Sequence, residues 1–228
     1  MFFGDMSWMD VERYLESDDR VVLITGACEQ HGYLSLLTDI RIPEAIARGL
    51  VEQSGVLVAP PLNFGCSPYF STYPGTISLS AATFSAVLRE VIVGLHGSGF
   101  RRLLLLNGHG GNGSIEPLLS ELAGELPGLR AAAYHWWRDR AAQELGRKLG
   151  AVPTHANWLE NFPFTRVGPV APGEKPFPQR GSATLGPAEA RATFGDGSFG
   201  GVYQQPDDVM AELLTAAIAE ASDVLQRL

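Results

Sequence analysis

The chain has 228 residues, 45% of them hydrophobic, with 17 Lys+Arg against 25 Asp+Glu for a net charge of −8. That length and apolar content suffice for one domain spanning 1–228 with a sizeable core, and the acidic balance lacks the positive field that binding a nucleic-acid backbone requires. No charged leader precedes an apolar run and no apolar stretch approaches the ~18 residues of a membrane span, so the sequence predicts a cytoplasmic protein with no membrane partner.

The first apolar run, 21–27, is short and does not alternate, as expected of a strand covered on both faces. It leads into Cys28-Glu29-Gln30-His31-Gly32 and then Thr38-Asp39. Pro43 reads as the first turn of a helix reaching about Glu52. A second strand is predicted over 56–62. Ser80 then caps a helix that carries Phe84, Val87, Leu88, Val91 and Leu95 on one stripe and stops at Gly97. The third strand, 102–106, runs into Asn107-Gly108-His109-Gly110-Gly111-Asn112, and Ser114 precedes a helix toward Leu126 whose Glu116 complements the dipole. A fourth strand covers 129–134. Strand and helix thus alternate, which indicates an α/β fold on a mostly parallel sheet. From 163 to 203 the chain is rich in Gly and Pro and poor in apolar periodicity, predicting ordered loops and no further sheet. Pro206, Asp207 and Asp208 open a closing amphipathic helix with Met210, Leu213, Leu214, Ala217, Ile218 and Ala221 on its buried stripe. Cys28 and Cys66 are too few for a disulfide framework, have no CxxC partner, and read as small buried residues.

In parallel sheets ligands bind outside the carboxyl ends of strands, where the Glu29 and His109 segments fall. Glu29 and His31 are two residues apart, so in an extended segment they project to one side. Asp39 returns at the start of the next helix, and His109 arrives from another strand end. Two imidazoles and two carboxylates suit zinc, manganese or iron with a position left for water. Such a site acidifies water and polarises a carbonyl, as amide hydrolysis needs. Taken singly, the first segment also reads as an ion pair or a cap and the second as an anion nest; together they support a shared centre.

These segments resemble the creatininase family of amidohydrolases. The resemblance continues through Tyr73-Pro74-Gly75-Thr76-Ile77-Ser78 and through His155-Ala156 with Glu160 five residues after the histidine. It implies a three-layer α/β/α fold, a centre of one or two divalent ions, hydrolysis of an amide, lactam or formamide C–N bond in a small-molecule or peptide-derived substrate, and a homo-oligomer such as a hexamer. By position, Glu29 and His109 hold one ion, His31 the other, Asp39 bridges them, and His155 serves in proton transfer or substrate contact. Three departures stand out. Tyr33-Leu34-Ser35-Leu36-Leu37 replaces the usual Pro-His-Leu-Pro-Leu stretch and is one residue shorter before Asp39. Gly111 stands where creatininase has a glutamate, so Glu160 must enter if a second ion is to be held. Asn157-Trp158-Leu159-Glu160-Asn161 differs from the usual Gly-x-x-Glu-Thr, which argues against creatinine as substrate. The alternatives are a lactone or cyclic-ketone hydrolase on the same centre, and a non-catalytic binding protein, to which Gly111 and the short loop point.

Around this centre, Trp158 is expected to wall a pocket, with Trp136 and Trp137 reading more readily as core or interface. Thr76 and Gly110 are expected at the substrate, although a tight turn accounts equally for Gly75 and Thr76. His96, in a last helical turn, reads as structural, and His135 as a partner of Asp139.

Overall fold

The computed structural model describes residues 1–179 and 184–228. In chain order the elements are α1 (Trp8–Leu15), β1 (Arg20–Thr25), α2 (Thr38–Ser54), β2 (Leu57–Val58), α3 (Ala81–Gly97), β3 (Arg102–Asn107), α4 (Ile115–Glu125), β4 (Arg130–His135), α5 (Arg140–Leu149), β5 (Glu174–Lys175), α6 (Pro187–Phe194), β6 (Gly201–Val202) and α7 (Asp207–Arg227). The first four strands form a parallel sheet in the order β2-β1-β3-β4, with Ile24 level with Leu106 and Leu106 level with Tyr134.

Successive side chains on a strand point to opposite faces, and this alternation builds two cores from one sheet. Val22, Ile24, Leu104 and Leu106 pack with Ile42, Ile46 and Leu50 of α2, Ala142 of α5 and Met210, Leu213 and Ala217 of α7. Val21, Leu23, Leu103 and Leu105 pack with Phe84, Leu88 and Ile92 of α3, Ile115, Leu118 and Leu122 of α4, and the inner side of α1. The result is the expected three-layer α/β/α arrangement. Among the described residues no helix is long and apolar enough to cross a membrane.

Four features depart from the sequence reading. The strand expected over 56–62 keeps its ladder only at Leu57–Val58. Pro60 and Pro61 have no N–H to donate, although Ala59 and Leu62 still bond Val22 and Ile24. Helix α2 begins at Thr38, so Pro43 lies inside it and not at its first turn. The i−4 carbonyl that Pro43 cannot serve is that of Asp39, and it faces Gly26 and Gly108 at the ends of β1 and β3. The stretch 163–203, of which 180–183 lie outside the described residues, holds α6 and the antiparallel pair β5–β6 in place of loops alone. Finally, α1 and α5 are helices where the sequence reading placed none; α1 rests Val11, Tyr14 and Leu15 on one core and α5 rests Leu145 and Leu149 on the other.

Candidate metal centre

Three chain segments meet at the carboxyl ends of β1 and β3. The stretch after β1 brings Glu29 and His31, the first turn of α2 brings Asp39, and the turn after β3 brings His109. A fourth segment, the short 3-10 turn Trp158–Glu160, adds Glu160 from the far side. All five are nearly inaccessible to solvent. Asp39 sits between the two imidazoles: Oδ1 is 2.9 Å from His31 Nε2 and Oδ2 is 2.8 Å from His109 Nδ1. Glu29 Oε1 is 3.5 Å from His109 Nδ1, and Glu160 Oε2 is 3.8 Å from His31 Nε2. Two ligand-like triads follow, Glu29–Asp39–His109 and His31–Asp39–Glu160, with Asp39 common to both. A third grouping, Glu29–His31–His155, overlaps them.

The hydrogen bonds on the outer sides of the rings define the tautomers. His31 Nδ1 is 3.1 Å from the Glu29 carbonyl, and His109 Nε2 is 2.9 Å from the Cys66 carbonyl. A carbonyl only accepts, so those nitrogens carry protons and the neutral rings turn lone pairs inward. Inward they meet carboxylate oxygens, and His31 Nε2, Asp39 Oδ2 and Glu29 Oε2 are buried without a hydrogen-bond partner among the described residues. Lone pairs converging on carboxylates, with the opposite ring nitrogens tied to carbonyls, form a donor set that fits divalent cations. Without cations the same cluster must bind protons. Burial pulls His31 and His109 down, but Asp39 with Glu160 around His31, and Glu29 with Asp39 around His109, outweigh it and raise them to about 10 and about 9. Burial pushes Asp39 up, yet the two histidines hold it well below the usual carboxylate range. Burial raises Glu29, and raises Glu160 to about 7.

These shifts predict how the metal-free protein responds to pH. Groups whose folded pKa is raised stabilise the fold below their unfolded pKa, and that contribution is lost as pH rises through the folded value. For Glu160 the loss runs up to about pH 7, and for His109 and His31 to about 9 and 10. Asp39, depressed, loses its contribution only at strongly acid pH. The thermal midpoint of chelated protein is therefore expected to fall from about pH 7 to about pH 10, and metal-loaded protein to fall less, because cations replace the protons. Identical profiles for the two forms would contradict this account.

The residues that support the ligands are mostly invisible to sequence reading. Asn107 Oδ1 accepts from Thr25 Oγ1, the His109 N–H and Asn112 Nδ2, while Asn107 Nδ2 donates to the His109 carbonyl. Asn112 also holds the Cys66 N–H and the Gly26 carbonyl. The asparagines of the His109 segment thus fasten it to β1 and to the Cys66 loop. Their place at both ends of a glycine-rich turn after a strand is the available signal. Gly108 and Gly111 are required by space: a Cβ at Gly108 would lie 1.9 Å from the Asp39 carbonyl oxygen, and at Gly111 1.9 Å from that of Cys66 and 2.4 Å from His109 Nε2. A side chain at 111 would require the Cys66 segment or the His109 ring to shift, and the carboxylate beside His31 is that of Glu160.

His155 is brought to the cluster, with Nδ1 3.7 Å from Glu29 Oε1. Its ring stacks on Phe70 at 4.8 Å between centroids. Gln30 accepts from the Gly32 N–H and donates to the Gly197 carbonyl, which fixes its amide so that Nε2 donates to His155 Nε2 at 2.9 Å. Burial, then the charge of His31, pushes His155 well below the ordinary imidazole range. Ala156, next in the chain, has φ +54 and gives its N–H to Glu160 Oε2 at 2.6 Å, so a strained residue links the histidine to the glutamate.

Above the cluster opens a cavity of about 420 Å³. Gly110 lines it, with Phe70, Phe199, Trp137 and Arg138 among the walls. Two residues expected at the substrate lie outside this cavity's lining. Trp158 is fully buried in the core, its indole N–H donating to the Val152 carbonyl, and it does not reach the cavity. Thr76 is also absent from the lining, and its hydroxyl accepts from the Gln30 N–H. Trp137, not Trp158, is the tryptophan at the cavity, since the turn after β4 leaves it half-buried while Trp136 goes to the core. His135 pairs with Glu116 at 2.6 Å and not with Asp139.

Two imidazoles and three carboxylates are buried together at the carboxyl ends of parallel strands, beneath an aromatic cavity, and form a candidate divalent-metal centre on a three-layer α/β scaffold. The creatininase profile, described as creatinine amidohydrolase, matches residues 4–225, and the chain belongs to that family. It is 34% identical over 116 residues to the creatinine amidohydrolase of Pseudomonas putida, covering 48% of this chain and 45% of that protein. It is 39% identical over 120 residues to the mycofactocin precursor peptide peptidase of Mycolicibacterium smegmatis, covering 49% and 47%. The matched stretches thus span about half the length of these curated relatives. A solved manganese form of creatininase matches 99% of this chain and 97% of its own with a TM-score of 0.76 at 24% identity, a likeness of fold.

Proposed function

We propose that this protein is a divalent-metal-dependent amidohydrolase that cleaves a C–N bond of a small molecule or a short peptide-derived substrate. The observation that carries the reading is Asp39, whose two oxygens each face a different imidazole, both imidazoles being held with their lone pairs inward. In this reading Glu29, Asp39 and His109 would hold one ion and His31, Asp39 and Glu160 the other. Manganese and zinc suit this mix of nitrogen and oxygen donors. Ions bound there supply Lewis acidity, acidifying water and polarising a carbonyl.

The chain's own residues do the rest. The walls formed by Phe70, Phe199 and Trp137 displace water from the substrate's flanks and orient it. His155, kept neutral by burial and with Nε2 accepting from Gln30, directs its Nδ1–H into the site as a hydrogen-bond donor to the substrate, and the proton gained by the leaving nitrogen is the one released by the attacking water. The backbone N–H of Ala156 keeps Glu160 turned inward. By the same family likeness the protein assembles as a homo-oligomer, which sedimentation would report.

The test is a panel of lactams, formamides, short peptide amides and lactones offered to chelated and to metal-restored protein. Cleavage of at least one C–N class is expected, abolished by chelation and restored by manganese or zinc. Turnover confined to lactones, or unaffected by thorough chelation, would overturn the reading.

A further inference from the structure

The hydrolase reading leaves one charged side chain of the cavity without a task. Among the described residues lining it, Arg138 is the only arginine or lysine. It lies in the turn between β4 and α5, anchored by its N–H on the His135 carbonyl, outside the carboxyl end of a parallel strand. Its guanidinium sits over the Trp137 ring, 5.6 Å from the centroid. Among the described residues it donates no side-chain hydrogen bond and has no carboxylate within 4 Å; Glu116, which feels its charge, is engaged by His135. Most other arginines here are tied to a carboxylate or a carbonyl, such as Arg20 to Asp18, Arg102 to Asp18 and Arg166 to Asp207. Gln143, also in the lining, donates to the Trp137 carbonyl and holds the platform on which Arg138 rests.

We propose that Arg138 is the anion anchor of the substrate site, selecting amides that carry a free carboxylate at the end remote from the scissile bond. The proposal rests on the hydrolase reading for what is cleaved, but not for what is bound. A guanidinium that lies over an indole face without a carboxylate partner keeps its fork of N–H donors available, and that fork can receive a carboxylate in bidentate fashion. The cavity is polar in charge as well: carboxylates Glu29, Asp39 and Glu160 lie at the floor and the cation lies elsewhere on the wall. An acidic group is attracted to the arginine, and bound there it leaves the uncharged amide end to face the cluster. The cavity of about 420 Å³ exceeds what a single small ring fills, leaving room for an apolar segment against Phe70 and Phe199 between the two ends.

The experiment uses N-benzoylglycine and its uncharged counterpart N-benzoylglycinamide with the wild type, Arg138→Met and Arg138→Lys. Binding is measured by calorimetry on chelated full-length protein, and kcat/KM on manganese-restored protein. The wild type is expected to bind the carboxylate probe about tenfold more tightly than the amide, a charge-assisted pair discounted for its exposed position. Arg138→Met should bring the ratio to about one, with the loss in KM and not in kcat, while Arg138→Lys retains part of it. Equal binding of the two probes by the wild type, or an unchanged preference in Arg138→Met, would overturn the anchor. Preference in binding without turnover of either probe would leave the anchor standing and count against the amidase reading. Turnover without preference would do the reverse.

Discussion

Replacing Asp39 by Asn is expected to remove bound metal and hydrolysis together. The side chain keeps its shape but presents one oxygen, so one imidazole loses its facing acceptor and meets an N–H₂ group instead. Even losing an outer partner of a metal ligand lowers affinity or activity by roughly 10–100-fold. A shared ligand stands nearer the ions, and a loss of more than about 100-fold is expected in both. Stability falls as well, because Asp39 is buried between His31 and His109, and breaking a buried charged arrangement costs about 3–5 kcal/mol. Metal content by emission spectroscopy, turnover and thermal midpoint would be measured on one preparation. A variant that keeps wild-type metal content would show that Asp39 is not the bridge.

The second large effect is steric and is expected at Gly108. Its hydrogen faces the Asp39 carbonyl, and a methyl group would sit 1.9 Å from that oxygen and 2.8 Å from Pro43 Cγ. Relief requires the β3 turn to part from the first turn of α2, which carries His109 away from Asp39. Gly108→Ala is expected to cost about 3 kcal/mol or more, at or beyond the upper end of ordinary overpacking, and to weaken metal binding. Gly110→Ala is the control, because a methyl group there would meet nothing within 4 Å; its stability should stay within about 0.5 kcal/mol of wild type. Denaturant unfolding of both variants decides the matter, and equal stabilities would contradict the packing.

The same close approach shows why parts of the site are legible in the amino-acid sequence. Glu29, His31, Asp39 and His109 stand at strand ends and a helix start, where the backbone direction follows from local pattern, and they converge as expected. Glu160, expected to stand in for the carboxylate absent at Gly111, lies beside His31. The steric reason for Gly111 is not legible, since it depends on Cys66, which is 45 residues away in the chain but touches this turn in space. Trp158 misleads because closeness in sequence to His155 does not carry over to closeness to the cavity. The 3-10 turn sends successive side chains in different directions, with the tryptophan into the core and the glutamate toward the metal cluster. His135 finds Glu116 on the neighbouring α4, although Asp139 is nearer in the chain. Arg138 and Trp137 carry no motif; only the turn between β4 and α5 places them at the cavity.

The central claim is a pair of cations sharing Asp39. An anomalous-scattering map of manganese-loaded crystals tests it most directly. Two peaks are expected, one among Glu29, Asp39 and His109 and the other among His31, Asp39 and Glu160. A map with no peak in contact with Asp39, or with a single peak held by His155 in place of His109, would contradict it.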